Sequence, residues 1–264
     1  MKKISKIYMG LVMFFLYAPI LVLIAFSFNK SKSKSVFTGF TFDWYAKLFK
    51  NEIILSSLKN TIIIAVIASI AATILGTAAA IGINSMRKIP KKLIIGATNI
   101  PLINPEIVTG VSLMLLFVFF SAKMHFEFGF VTLIIAHITF DVPYVVLNVL
   151  PKLRQMNPNL YEAAEDLGCN PIQAFFKVVL PEIMPGVLSG FLMAFVFSLD
   201  DFVISYFTSG ATSQTLPITI YSMTRRRVNP QINALSAIIF VVVVTMLVIK
   251  NIIEKKELKE MSDK

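Results

Sequence analysis

Four carboxylates lie in stretches of this sequence that are otherwise apolar: Glu106, Asp141, Asp200 and Asp201. No Lys or Arg sits beside them at the same depth. An ionised carboxylate in hydrocarbon costs several kcal/mol, so such residues face a cavity, a partner or a passing ion. The chemistry they offer is reversible binding of positive charge. Carboxylates at different depths suit a long, flexible cation, with protonated amines standing in for the missing Lys and Arg and methylene linkers sliding past Phe, Met and Tyr. Asp141 has a structural reading of equal weight, because it precedes Pro143 by two residues and could bond to backbone freed by a kink. Asp200 and Asp201 would point about 100° apart on a helix, so one of them faces a narrow pathway unless the helix is unwound there. Ser198 is a helix hydrogen-bonding residue on its chemistry alone, and Trp44 reads first as an aromatic anchor at the membrane–water boundary.

Other chemistries are poorly supported. The one cysteine, Cys169, allows no internal disulfide, and two histidines, His125 and His137, are too few for a histidine-based metal centre. They read as an interfacial residue and a helix-packing donor. Adjacent aspartates have poor geometry for the facing carboxylate pair of an intramembrane aspartyl enzyme, and the GxGD signature of such enzymes does not occur. No GxxxxGK[ST] phosphate loop is present, so the sequence predicts no ATP hydrolysis by this chain.

The elements that must hold the acids follow from composition. The chain has 264 residues, 56% hydrophobic and only 15% charged, against about 25% charged in soluble domains. That composition excludes a soluble enzyme and a disordered chain. A membrane-crossing helix needs about 20 predominantly apolar residues, and six stretches qualify: 7–28, 60–83, 93–122, 129–150, 183–207 and 231–253. The expected fold is all-α, a polytopic membrane protein with six transmembrane helices in a single domain covering 1–264. Pro101 and Pro105 interrupt the third stretch, whose first part is expected to tilt or bend. Ala68, Ala71, Ala72, Gly76 and Ala80 let the second span pack closely against neighbours. Trp44, Tyr45, Leu48 and Phe49 have the spacing of a short interfacial helix.

With both termini in the cytoplasm, fifteen of the 25 Lys and Arg fall on the inner side, the direction that the positive-inside rule requires. The net charge of +10 then marks loops facing anionic lipid and no nucleic-acid partner. Arg225, Arg226 and Arg227 lie on the outer side, where they could meet an acidic protein face or simply be solvated.

The loop 151–182 breaks the apolar pattern. Asn159-Leu160-Tyr161-Glu162-Ala163-Ala164-Glu165-Asp166-Leu167-Gly168 reads as a helix capped by Asn159 and stopped by Gly168. Asn170-Pro171 opens a second helical segment, 172–180, that Pro181 is expected to end. The two would form a compact knob outside the membrane, with an apolar face of Ala163, Ala164, Leu167, Phe175 and Phe176 and an acidic rim.

This loop resembles the cytoplasmic coupling loop of ABC importer permeases, whose pattern is EAA-x3-G-x9-I-x-LP. Glu162, Ala163, Ala164, Gly168, Leu180 and Pro181 match it, with Val178 in place of isoleucine. The resemblance runs from Asn60-Thr61 and Gly76 to the last helix and implies the six-span, type I importer permease fold. It implies that the loop seats on a separate ATPase and couples its closure to the spans. ATP and Mg would be used by that partner, and this chain would need no cofactor or metal. Phe197-Ser198-Leu199-Asp200-Asp201-Phe202 is similar to the spermidine/putrescine permeases of the family. The same resemblance implies substrate contacts at Glu106 and Trp44, with Glu106 standing where aspartate is common. It further implies a heterodimer with a homologous permease subunit, two ATPase subunits, an extracellular or periplasmic polyamine-binding protein and a multi-pass place in the bacterial inner membrane. Ferric ion, which suits hard oxygen ligands, or another small solute is the alternative cargo; a simple channel would not need the coupling loop.

Overall fold

The structure is a computed structural model that describes residues 2–31, 36–124, 126–157, 159–226 and 230–262. His125 and Arg227 lie outside the described residues. The described chain is helical: α1 (Lys2–Ser27), α2 (Asp43–Leu48), α3 (Glu52–Ser85), α4 (Lys88–Ile103), α5 (Glu106–Met124) and α6 (Phe130–Gln155) come first. They are followed by α7 (Asn159–Asp166), α8 (Pro171–Ala174), a π turn (Phe175–Val179), α9 (Leu180–Asp200), α10 (Val203–Thr208), α11 (Leu216–Arg226) and α12 (Pro230–Ser262). Among the described residues the extended structure amounts to one isolated bridge, Asn29 with Phe40.

Five helical stretches are long and apolar enough to cross a membrane: Lys6–Ser27, Glu52–Ser85, Glu106–Lys123, Phe130–Gln155 and Pro171–Asp200. The sixth expected span falls within α12, where the apolar stretch is Pro230–Thr245. Two of the six expected spans are each two helices. The expected span 93–122 divides at Asn104-Pro105, because Asn104 is extended at ψ 136° and a residue before proline is pushed out of the α region. The expected span 183–207 divides at Asp201, which leaves α9 with ψ 120° before α10 begins.

The chain forms two compact units. The first comprises Met1–Ser57 and Thr219–Met246. Here α1 leaves its apolar side chains bare, Ile7, Phe14 and Phe15 each being more than 60% exposed. At its end the chain doubles back around Asn29, whose side chain donates to Val36 O at 2.8 Å and accepts from Thr38 N at 2.9 Å. Gly39, at φ 145°, permits that reversal. Phe28 stacks on Phe40 and Tyr45, and Phe42 meets all three rings. The expected interfacial helix is present as α2, with Trp44 and Leu48 buried and Phe49 exposed.

The second unit comprises Leu58–Ile218 and Leu247–Lys264. Its most extensive helix pair is α6 on α9. The small residues of α3 do pack closely: Ala68, Ala72 and Ala80 are fully buried. Val145 of α6 is clasped between two glycines. A Cβ added at Gly76 would stand 2.6 Å from Val145 Cβ, and one at Gly190 would stand 3.2 Å from Val145 Cα. Helix α10 returns against α5 and α6, where Leu113, Phe117, Ala136, Phe140 and Ile204 form a buried cluster. Gly110 makes the α5 approach possible, since a Cβ there would meet Phe207 at 2.9 Å.

Candidate functional site

The break between α9 and α10 organises the acids. Asp201 ends α9, and its carboxylate accepts from Ile204 N at 3.2 Å and Ser205 N at 2.7 Å, capping α10. On α6, His137 is 2% exposed and uses both ring nitrogens. Nδ1 lies 2.6 Å from Ser198 Oγ and Nε2 lies 3.0 Å from Ser205 Oγ. Nε2 also stands 3.5 Å from Asp201 Oδ2. One imidazole thus ties α6 to the end of α9, to the break and to α10. Thr132 adds a second tie by donating to Thr208 O at 2.8 Å.

The other predicted residues fall around this clamp. Asp200 is exposed, because unwinding at Asp201 lets the two adjacent acids part company. Glu106 is exposed in the first turn of α5, where a negative charge suits the helix N-terminus. Asp141 is fully buried on α6, one turn beyond His137, and neither carboxylate oxygen has a hydrogen-bond partner. It therefore does not bond the backbone freed at Pro143, contrary to the structural reading of the sequence. Tyr144 stands half-buried within electrostatic reach of both Glu106 and Asp141. Its ring lies 4.5 Å from Phe197 and 5.3 Å from Phe140. Ser198 is buried and committed to His137.

Trp44 belongs to the first unit, where it is 6% exposed and its indole N–H donates to Asn29 O at 2.7 Å. The Lys47 ammonium lies 4.8 Å from its ring centre, showing that this ring accepts a cation on its face. Arg225 lies over Tyr221 at 5.8 Å.

Sequence reasoning placed His137 as a packing donor but missed its role as a clamp, and it missed Ser205 and Tyr144 altogether. The available signal was the spacing of His137, Asp141 and Tyr144, which puts all three on one face of α6.

The coupling loop is assembled from local caps. Asn157, rather than the expected Asn159, opens α7: its side chain accepts from Asn159 N at 3.0 Å. Gly168 ends the helix at φ 88°, with Gly168 N on Glu165 O at 2.8 Å and Cys169 N on Ala164 O at 3.1 Å, a glycine-terminated helix end. Asn170 and Gln173 then cap α8 reciprocally. Pro181 does not end the second segment. It lies directly after the π turn, which carries the helix through from α8 into α9 without a stop.

The expected apolar face is divided. Ala164 is buried and Phe175 packs on the core, whereas Leu167 is 88% and Phe176 60% exposed, joined by Ile172 at 70%. Glu162, Ala163, Glu165 and Asp166 are exposed around them. Burial and a hydrogen bond to Glu165 hold the Tyr161 hydroxyl above its ordinary range.

A multi-pass helical protein with acids in its spans and an exposed, motif-bearing knob has the construction of a transport permease. Residues 72–256 match the family described as "Binding-protein-dependent transport system inner membrane component". The chain is 40% identical over 231 residues to the putrescine transport system permease protein PotI of Escherichia coli strain K12, covering 85% of this chain and 81% of that protein. It is 35% identical over 249 residues to the spermidine/putrescine transport system permease protein PotC of Haemophilus influenzae, covering 94% and 95% of the two chains. In fold it is similar to a bacterial ABC transporter involved in the import of the acidic polysaccharide alginate, at TM-score 0.71 and 17% identity over 97% and 94% of the two chains. This chain belongs to the family of binding-protein-dependent transport system inner membrane components. It is a multi-pass permease subunit of an ABC importer.

Proposed function

We propose that the solute carried by this permease is a polyamine. The observation that carries the reading is the set of four acids on α5, α6 and the α9–α10 break, none of which is ion-paired with a Lys or Arg among the described residues. Their charge calls for a cation with several positive centres, and the relatives named for putrescine and spermidine transport support that class. Glu106 and Asp200, both exposed, make the first contacts. Asp201 and Ser198 act mainly through the His137 clamp that holds the break open. Trp44 supplies a ring for an ammonium, as Lys47 illustrates.

The mechanism is alternating access. An extracellular or periplasmic polyamine-binding protein delivers the solute to a heterodimer of this chain and a homologous permease, each seated on an ATPase subunit. A known alginate transporter has been seen with a substrate-bound periplasmic protein, which supports that arrangement. ATP and Mg act in the ATPase subunits; this chain, one permease domain over 1–264 with both termini in the cytoplasm, supplies the pathway and the lever. The exposed Leu167, Ile172 and Phe176 with the neighbouring acids form the seat for the ATPase, and the continuous run from α8 through the π turn into α9 transmits its motion towards Asp200.

Uptake in cells carrying Glu106→Gln with Asp200→Asn tests the pathway. Polyamine uptake should fall at least about tenfold, a change worth about 1.4 kcal/mol; unchanged uptake with an unchanged competition profile would remove the acids from the route.

A further inference from the structure

Among the described buried groups of the acid cluster, Asp141 is the one whose oxygens lack hydrogen-bond partners. Asp201 is satisfied by two backbone N–H groups and His137, and Ser198 and Ser205 are satisfied by the same imidazole. Asp141 is 0% exposed and both its oxygens lack a partner. A buried carboxylate left in that state costs several kcal/mol in a membrane span, and the bonds it lacks are those that an ammonium N–H would make. Three residues along α6, Tyr144 stands on the same helix face. It is half-buried, reaches electrostatically to exposed Glu106 as well as to buried Asp141, and is walled by Phe140 and Phe197.

We propose that Asp141 is an inner ammonium station, reached from Glu106 past the Tyr144 ring, so that one polyamine is held by two carboxylates with an aromatic gate between them. This rests on the polyamine reading and deepens it. One protonated amine engages Glu106 at the outer station. The methylene chain then lies against Tyr144, Phe140 and Phe197, and a leading amine pairs with Asp141. Aromatic rings tolerate both parts of the molecule, the linker by apolar contact and the amine by cation–π attraction.

The test uses the whole transporter in liposomes: this chain, its partner permease, the ATPase and the binding protein, with labelled spermidine as probe. The discriminating substitution is Asp141→Asn, which matches a neutral carboxyl in shape but cannot pair with an ammonium. The proposal predicts a maximal uptake rate about tenfold below wild type for Asp141→Asn and recovery to within about threefold for Asp141→Glu. A rate within twofold of wild type for Asp141→Asn would mean a neutral, structural acid and would overturn the proposal, as would equal loss in Asp141→Asn and Asp141→Glu. If Asp141→Asn does not assemble with its partners, Tyr144→Leu decides: uptake should fall about fivefold, and a rate within about twofold of wild type would overturn the proposal. Wild-type transporter that moves no polyamine at all would instead defeat the polyamine reading itself.

Discussion

The coupling knob and the acid cluster lie in one compact unit but are built by opposite means. The knob is local: Asn157, Gly168 and Asn170 each cap a helix end through bonds spanning five residues or fewer. It leaves apolar side chains facing outward, with Leu167 88% exposed. The acid cluster is non-local and its centre is buried, with His137 bonding partners 61 and 68 residues along the chain while Glu106 and Asp200 stay exposed. A surface meant for another protein can be shaped by one short segment and kept whole wherever it is needed. A station for a charge inside a membrane needs several helices at once, because every polar group there must find a partner.

This contrast can be broken or sharpened in four places. The most complete loss of function is expected from Gly168→Val, although its cost in stability is smaller than that of the substitution that follows. At φ 88° a β-branched residue costs roughly 1–2 kcal/mol and disorders the turn between α7 and α8. Co-purification with the ATPase and uptake should both be lost, while membrane insertion and the acid cluster are unaffected; retained association would show that the knob is not the seat. Next is His137→Ala, which strands Ser198, Ser205 and one edge of Asp201 in a buried site. A loss of about 2–4 kcal/mol is expected, seen as a lower Tm in detergent and lost uptake, with ATPase association retained. If Tm were unchanged, the imidazole would not be the clamp.

Gly76→Ala should follow, at about 1–3 kcal/mol from overpacking against Val145, again measured as Tm. Gly10→Ala, where an added Cβ meets nothing, serves as the control. The smallest change in stability is expected from Leu167→Ser, within about 0.5 kcal/mol because the side chain is exposed. Its effect should appear only as weaker ATPase association, which a titration in detergent would read. A stability loss without an association loss would mean that Leu167 packs within this chain.

The same contrast explains what was legible in the sequence. The knob could be read residue by residue, since Glu162-Ala163-Ala164 and Gly168 carry their geometry in their own neighbourhood. The errors there were local as well: Asn157 opens α7 in place of Asn159, and Pro181 does not stop the helix, which runs on through the π turn just before it. The spans were legible from apolar content, and the interruption of the third from Pro101 and Pro105, but the break after Asp200 was only a condition that adjacent aspartates raised. Apolar content persists through Asp201-Phe202, where the backbone alone shows the helix ending. Asp141, Asp200 and Asp201 stood out as rare charges, yet their different fates were set elsewhere. Asp201 turns inward to cap α10 and Asp200 outward, a distinction made by the unwound junction. His137 was seen as a lone histidine, since Ser198 and Ser205 meet it only when α9 and α10 fold back on α6.

The central claim, that these acids form a cation pathway driven by a separate ATPase, is tested most directly by reconstituted uptake. The chain, its partner permease, the ATPase and the binding protein would be placed in liposomes and given labelled spermidine, with putrescine or ferric ion as competitor. The account predicts uptake that requires ATP, is reduced by putrescine and is indifferent to ferric ion. Uptake that ferric ion suppresses and putrescine does not, or spermidine entry without ATP, would contradict it.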